Sequence, residues 1–422
     1  MQQKRIDIIG SGISALATAL VLSTDRPELQ IRIYGNFKSS HLLSTYRYRA
    51  GSLEFSADVG GHYFHYENYP RIFKLLPKLK AEVNVVEKKA AVALDTTGNK
   101  IELIPVPLQK NLDKLTNNFD DLKAKLKDFK ADTNELRAAR SIGQYYLSAY
   151  GEDLYNLFFK PYNQKAFDNR NLFAISLDNF TRAIYTDKLN YNRKFIYPKT
   201  GGIQTLYNQM IIALGNCKNI TFYDCQVTSI DYQTHKINNM YELGDYLIST
   251  IPLNDLTSTI ITADGSPFGR TNFDVTSSIV VNVGVKNNSK LISEGWNWIY
   301  YPQTLPDLFR IGNYSSAGKM APEGYSSLYM EYTSTAFKVG TLNVSKIEQD
   351  LLRTGWISDT RDLKLAQPIL VARNHPLFTP RYAEVAEQLA KLGIGLVGRY
   401  ATQSWGTIHQ AFLEAEELAK TL

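Results

Sequence analysis

The residues best placed to do chemistry stand at the start of the chain. Ile6-Asp7-Ile8-Ile9 is a short apolar run, Gly10-Ser11-Gly12-Ile13-Ser14-Ala15 follows, and Leu16 to Leu22 is apolar again. That order reads as strand, glycine turn and helix, and G-x-G-x-x-A is a dinucleotide fingerprint in its alanine form. Gly10 allows the tight turn, Gly12 lets a pyrophosphate reach the backbone, and Ala15 keeps the helix close to the strand. The helix N-terminus, with Ser14 in its first turn, offers unpaired N–H groups and a partial positive charge.

The next element departs from that pattern. Gln30 to Tyr34 reads as the second strand, whose end should carry an acidic residue for the adenosine ribose. Tyr34-Gly35-Asn36 stands there instead. Either Asn36, the nearest candidate, holds the ribose, or the nucleotide half of the site is weakened.

The elements that must position these groups come from the rest of the chain. At 422 residues it is long enough for two or three domains. A hydrophobic share of 44% and a charged share of 21% are ordinary for a globular protein. The net charge of +6 suits an anionic ligand. The densest basic run, Lys110 to Lys130, is interleaved with Asp and Asn and reads as a solvated helix face, and no nucleic-acid motif accompanies it. Cys217 and Cys225 have no metal-ligand spacing and read as reduced thiols. No signal peptide and no membrane-length apolar run is evident, so a cytoplasmic protein is expected. Aromatic residues are abundant, with 27 Tyr and 19 Phe, which suits a stacked polar ligand.

Residues 1–75 read as β-α-β plus an irregular glycine segment. Helical spacing dominates Asn111 to Lys130 and Ser141 to Phe159, and strand patterns return from Thr221 onward. The expected fold class is α/β: a Rossmann-type domain assembled from the discontinuous segments 1–75, 195–260 and 385–422. A mainly helical insertion would cover 76–194, and a β-rich, antiparallel substrate domain 261–384.

Several further segments resemble the UDP-galactopyranose mutases. Asp58-Val59-Gly60-Gly61-His62-Tyr63-Phe64-His65 is similar to their glycine-histidine segment, and Pro105-Val106-Pro107-Leu108-Gln109 to their proline segment. Phe158-Phe159-Lys160-Pro161-Tyr162-Asn163-Gln164-Lys165 resembles their lysine motif. Tyr197 to Gly202, Trp298 to Pro302, Phe309-Arg310, Asn313-Tyr314-Ser315 and Gly398-Arg399-Tyr400 follow in the same order. Amine oxidases and protoporphyrinogen oxidases share the glycine segments, so the order is more specific for fold than for reaction.

The resemblance implies FAD and a nucleotide-sugar substrate whose pyranose and furanose forms interconvert through reduced flavin. It places Gly10, Gly12, Ser14, Ala15, Asn36, Gly60, Gly61, His62, Gly398, Arg399 and Thr407 at the cofactor. Arg182 and Arg310 would hold the diphosphate, since planar guanidinium forks suit phosphate oxygens. His62, Arg182 and Arg310 would be the catalytic set. Phe167 would stack the uracil, and Tyr300, Tyr301 and Tyr314 would bond phosphate or sugar hydroxyls. A metal site is not expected, and homo-oligomerisation stays open.

Departures from the family pattern keep two alternatives in view. The acidic residue near Tyr34 and a glycine pair near Ser40-His41 are missing, and the segment from Ala401 to Thr407 lacks the family's aromatic pattern. Leu377 stands about where some members carry a substrate tyrosine. An oxidase or desaturase of the amine-oxidase group is one alternative; a degenerate, non-catalytic flavoprotein is the other.

Overall fold

The computed structural model describes residues 4–38, 42–96, 100–116, 119–177, 193–338, 340, 342–377, 379, 381–404 and 406–422. Its first sheet has five parallel strands in the order Ile394–Leu396, Tyr246–Ser249, β1 (Arg5–Ile9), β2 (Gln30–Gly35) and Ile220–Asp224. Strands nearly four hundred residues apart in sequence meet here, so this layer is discontinuous. Helix α1 (Ile13–Asp25) packs against it with the helices Gln204–Gly215 and Ile408–Ala419, burying Leu16, Leu20, Leu206, Met210 and Phe412 in one core. Because helices cover it, β1 beyond its first residue, Arg5, is buried and apolar at Ile6, Ile8 and Ile9, as a parallel sheet requires. Its exception, Asp7, is fully buried and pairs with Arg32 of β2 through two bonds of 2.7 and 2.8 Å.

The second sheet has seven strands: Leu363–Val371, Ser278–Lys286, Tyr325–Thr333, Leu308–Asn313, Trp298–Tyr300, Ala90–Asp95 and Ile101–Pro105. All neighbours are antiparallel except Trp298–Tyr300 and Ala90–Asp95. The first part of segment 76–194 therefore supplies strands, Val83–Glu87, Ala90–Asp95 and Ile101–Pro105, where the sequence reads as mainly helical. Ala90-Ala91-Val92-Ala93-Leu94 is buried along its length, and a short apolar run rich in alanine carries no period of two to betray it.

Helices fill the remainder of that segment. Ser141 and Gln144 form a capping box that starts Ile142–Leu154, and a π-turn at Tyr155–Phe159 joins it to Lys160–Ala166. Among the described residues, the basic run from Lys110 forms a 3-10 turn at Leu112–Lys114 and an α-helix at Asp120–Asp128. Lys165 anchors these helices to the large sheet: its ammonium donates to the carbonyls of Tyr301, Leu305 and Leu308 at 3.0, 2.5 and 3.2 Å. Burial pushes the Lys165 amine down to about 8.

Candidate functional site

The glycine turn after β1 is held by backbone geometry. Gly10 has φ +127 and donates its N–H to the Tyr34 carbonyl at 2.8 Å; a Cβ there would lie 2.1 Å from Thr250 Oγ1. Gly35 is equally confined, since a Cβ would come within 2.9 Å of the Gly10 carbonyl carbon. Gly12 is different. It is the N-cap of α1, no side chain caps the helix, no acidic residue lies in its first turn, and nothing stands within 4 Å of a Cβ built on it. A helix start left without a side-chain cap, beside an opening, is the arrangement that accepts a phosphate.

Gly12, Ile13 and Ser14 line a cavity of about 500 Å³. Gly398, Arg399 and Thr407 line it as well. Gly398 has φ +93 and lies so close to Ser14 that a Cβ would meet Ser14 Oγ at 2.1 Å. Arg399 is tied to the backbone, donating to the Gly406 and Asn374 carbonyls. Thr407 is the N-cap of Ile408–Ala419 and contacts the His409 ring at 3.0 Å.

A face of the seven-stranded sheet forms another wall. Tyr300 pairs with Arg310, and Arg310 with Glu331, which in turn stands opposite Val280. All four line the cavity, with Trp298 two residues before Tyr300 on the same face. Arg310 Nε and Nη2 donate to the Glu331 carboxylate at 2.6 and 2.7 Å. This pairing outweighs burial and holds the guanidinium well above its ordinary pKa. It uses one edge of the fork and does not engage Nη1.

The glycine-histidine segment completes the wall. Tyr314 Oη receives the Gly60 N–H at 3.0 Å and donates to the Asp58 carbonyl at 2.8 Å. A Cβ on Gly61 would lie 2.2 Å from Tyr329 Oη, so the turn sits directly on the sheet. Asp58 accepts from Thr45, Tyr197 and the Ile203 N–H. Burial nevertheless raises its carboxyl to about 6. His62 and His65 line the cavity, and burial lowers the His65 ring to about 3. His375, also on the wall, is held well below the ordinary imidazole value by burial and then by Arg399 and Arg310.

The cavity thus gathers Gly12, Ser14, Gly61, His62, Tyr300, Arg310, Gly398, Arg399 and Thr407 of the residues expected from sequence. Gly10, Ala15 and Gly60 do not line it. Asn36 does not line it; the side chain is exposed and accepts the Lys38 N–H at 3.0 Å. Tyr301 does not line it either, because strand alternation turns it to the opposite core, where Trp356 donates to its hydroxyl at 2.8 Å. Tyr314 is wholly buried behind the glycine turn, and Phe167 is wholly buried among the helices. Arg182 and the Ser40-His41 pair lie outside the described residues.

Lys88, Glu331, His375 and Asn374 line the cavity without having been singled out from sequence. Glu331 was recoverable in principle, since a charge in Tyr329-Met330-Glu331-Tyr332 interrupts a strand otherwise buried throughout. Among the described residues, no three His, Cys, Asp or Glu side chains converge as a metal site, and no helix is long and apolar enough to cross a membrane.

No protein-family model and no curated protein matches the sequence. The fold does match solved structures. A reduced UDP-galactopyranose mutase superposes with a TM-score of 0.77 at 20% identity, covering 100% of this chain and 94% of the other. The chain shares this fold. A protein from Exiguobacterium sp. 255-15, provisionally assigned as a protoporphyrinogen oxidase, gives 0.70 at 16% identity over 100% and 99% of the two chains. Cyclohexylamine oxidase from Brevibacterium oxydans gives 0.64 at 13% over 100% and 99%.

Proposed function

We propose that this chain is an FAD-dependent flavoenzyme acting on an anionic small molecule, with pyranose–furanose interconversion of a UDP-sugar as the favoured reaction. The observation that carries this reading is a shared cavity: the uncapped start of α1 at Gly12 and the Arg310 face of the large sheet line the same space.

The residues present fit FAD. Gly12 leaves room for a pyrophosphate where a Cβ would project, and the N–H groups around Ser14 would receive its oxygens. Gly60 and Gly61 would let a planar ring approach the backbone beside His62. Gly398, Arg399 and Thr407 would border the cofactor near the start of the last helix. The acidic ribose partner is absent after β2, and Asn36, which stands there, lies outside the cavity. FAD, reduced, supplies a nucleophilic nitrogen and an electron reservoir. Arg310 would bond a diphosphate oxygen through Nη1 while Glu331 fixes its orientation. Tyr300, its cross-strand neighbour, would bond a ligand hydroxyl, and Arg182 is proposed as the second diphosphate contact. In this scheme the five-stranded layer serves the cofactor and the seven-stranded sheet the substrate.

One observation favours an oxidase instead: the Arg310 charge is matched by Glu331, and Phe158, Tyr162, Trp298 and Phe309 give the cavity an apolar, aromatic lining. Incubating FAD-loaded protein with UDP-galactopyranose, with and without dithionite, separates the readings. The expected result is isomerisation that needs the reductant and leaves the substrate's oxidation level unchanged. Oxygen consumption stoichiometric with substrate would overturn the mutase assignment and establish the oxidase.

A further inference from the structure

The Gln204–Gly215 helix is bonded to two of the turns that border the cavity. At its start it meets Asp58, the residue that opens the glycine-histidine turn. The Asp58 carboxylate accepts the N–H of Ile203, the helix N-cap, at 3.2 Å, and the Thr45 and Tyr197 hydroxyls, each at 2.6 Å. Gly202, with φ +69, makes this approach possible, since a Cβ there would lie 2.5 Å from Asp58 Oδ1. Thr45 and Gln204 exchange bonds of 2.9 and 3.2 Å, which fastens the helix start a second time. The Asp58 backbone is held from the other side, its carbonyl accepting from Tyr314 Oη at 2.8 Å and Asn282 Nδ2 at 3.0 Å. Four residues after Ile203, or about 6 Å along the helix, Tyr207 Oη donates to the Ser11 carbonyl at 2.6 Å, in the middle of the turn that precedes α1. Leu206, Met210 and Leu214 are buried in the core shared with α1, so the helix cannot shift without disturbing that packing.

We infer, on the FAD reading above, that this helix is a strut between the two halves of the cofactor site, and that Asp58 and Tyr207 are its positioning residues. Gly12, Ile13 and Ser14 line the cavity just after Ser11, and Gly61 and His62 line it just after Asp58. Neither Asp58 nor Tyr207 lines it, so each acts through the turn it holds. FAD brings a pyrophosphate and a planar ring into one cavity, and both turns must be in place at once to receive them. Fixing the two turns to one rigid helix removes freedom that binding would otherwise have to restrict. A bond lost at one end of the strut therefore reaches the turn at the other.

ADP carries the pyrophosphate of FAD without its ring, so ADP titrated into the flavin-free chain reads the α1 turn alone. Asp58→Ala should weaken ADP binding about fivefold, although Asp58 belongs to the other turn. Asp58→Asn keeps an acceptor for the Ile203 N–H and should recover most of that loss. In the reverse direction, Tyr207→Phe removes the bond to Ser11 and should change the absorbance band shape and fluorescence of bound FAD. Either cross-effect supports the strut. Melting temperatures check that each variant is folded; if Asp58→Ala is not, or if the wild type holds FAD but not ADP, the flavin spectrum of Tyr207→Phe decides. Wild-type ADP affinity in folded Asp58→Ala together with a wild-type flavin spectrum in Tyr207→Phe overturns the strut and leaves FAD standing. An Asp58→Asn loss equal to that of Asp58→Ala also overturns it, because the charge and not the bond to the helix would then be at work. A wild type that binds neither FAD nor ADP overturns the cofactor reading itself, and the strut with it.

Discussion

The turn at the start of α1 and the face of the seven-stranded sheet border the same cavity, but they are made of different material. The turn is backbone. Its geometry is set by Gly10, Gly12 and Gly35, its charge by the helix start, and the residues involved lie within a few positions of one another or on the adjacent strand. The sheet face is side chain. Tyr300, Arg310, Glu331 and Val280 come from four strands and meet only through register. A site built from backbone loses ligand room with any added side chain; one built from cross-strand side chains can be retuned one residue at a time.

The largest effect should come from breaking the backbone side of that contrast. Gly12→Val introduces a side chain where nothing stands within 4 Å, at a backbone φ of −76 open to any residue. The apo-protein should keep its stability to within about 1 kcal/mol, and FAD retention after gel filtration should be lost. Gly10→Ala should instead destabilise the apo-protein itself by about 1–3 kcal/mol, since φ is +127 and Thr250 Oγ1 is in the way. If Gly12→Val retains flavin, the cradle is misplaced; if both variants unfold alike, the two glycines share one structural role.

This division also explains what could be read in the sequence. The cradle, β1, α1 and β2 are local, so spacing and apolar patterning reveal them. Gly398 and Arg399 were reached through family resemblance, and they land on the same cavity. Tyr300 and Tyr301 were indistinguishable as neighbours in sequence, because which face a strand residue takes depends on register. Lys88 has no chemical partner nearby in the chain, and the charge of Glu331, legible as an interruption of its strand, meets Arg310 only across the sheet. The strand at Ala90–Asp95 was missed because alanine gives little strand signal and burial on both faces erases alternation.

The Arg310–Glu331 pair breaks the contrast from the other side. Arg310 is 24% exposed and Glu331 9%, so removing one partner strands a largely buried charge. Arg310→Met should cost about 3–5 kcal/mol, while Arg310→Met with Glu331→Leu should recover most of it. Binding should separate from stability. If Arg310 Nη1 holds a diphosphate, both variants lose UDP affinity by roughly 10- to 150-fold. Thermal melting and UDP titration on the same samples decide this; a double variant with wild-type affinity would remove Arg310 from the ligand.

The smallest effect tests whether register alone assigns roles on the sheet. Tyr300 and Tyr301 are adjacent and both buried or nearly so, yet they face different cores. Tyr301→Phe removes the acceptor of the Trp356 indole N–H, which is buried in the core on the other face. An unsatisfied donor of that kind costs about 1–3 kcal/mol, and nothing in the cavity changes. Tyr300→Phe removes a hydroxyl on the cavity side and should leave stability within about 0.5 kcal/mol while weakening ligand binding several-fold, the worth of about 1 kcal/mol. Melting temperatures and ligand titrations for the two variants should therefore move in complementary fashion. If Tyr301→Phe weakened binding and Tyr300→Phe did not, the strand would be turned by one residue, and the cavity wall assigned to Trp298, Tyr300, Arg310 and Glu331 would belong to their neighbours instead.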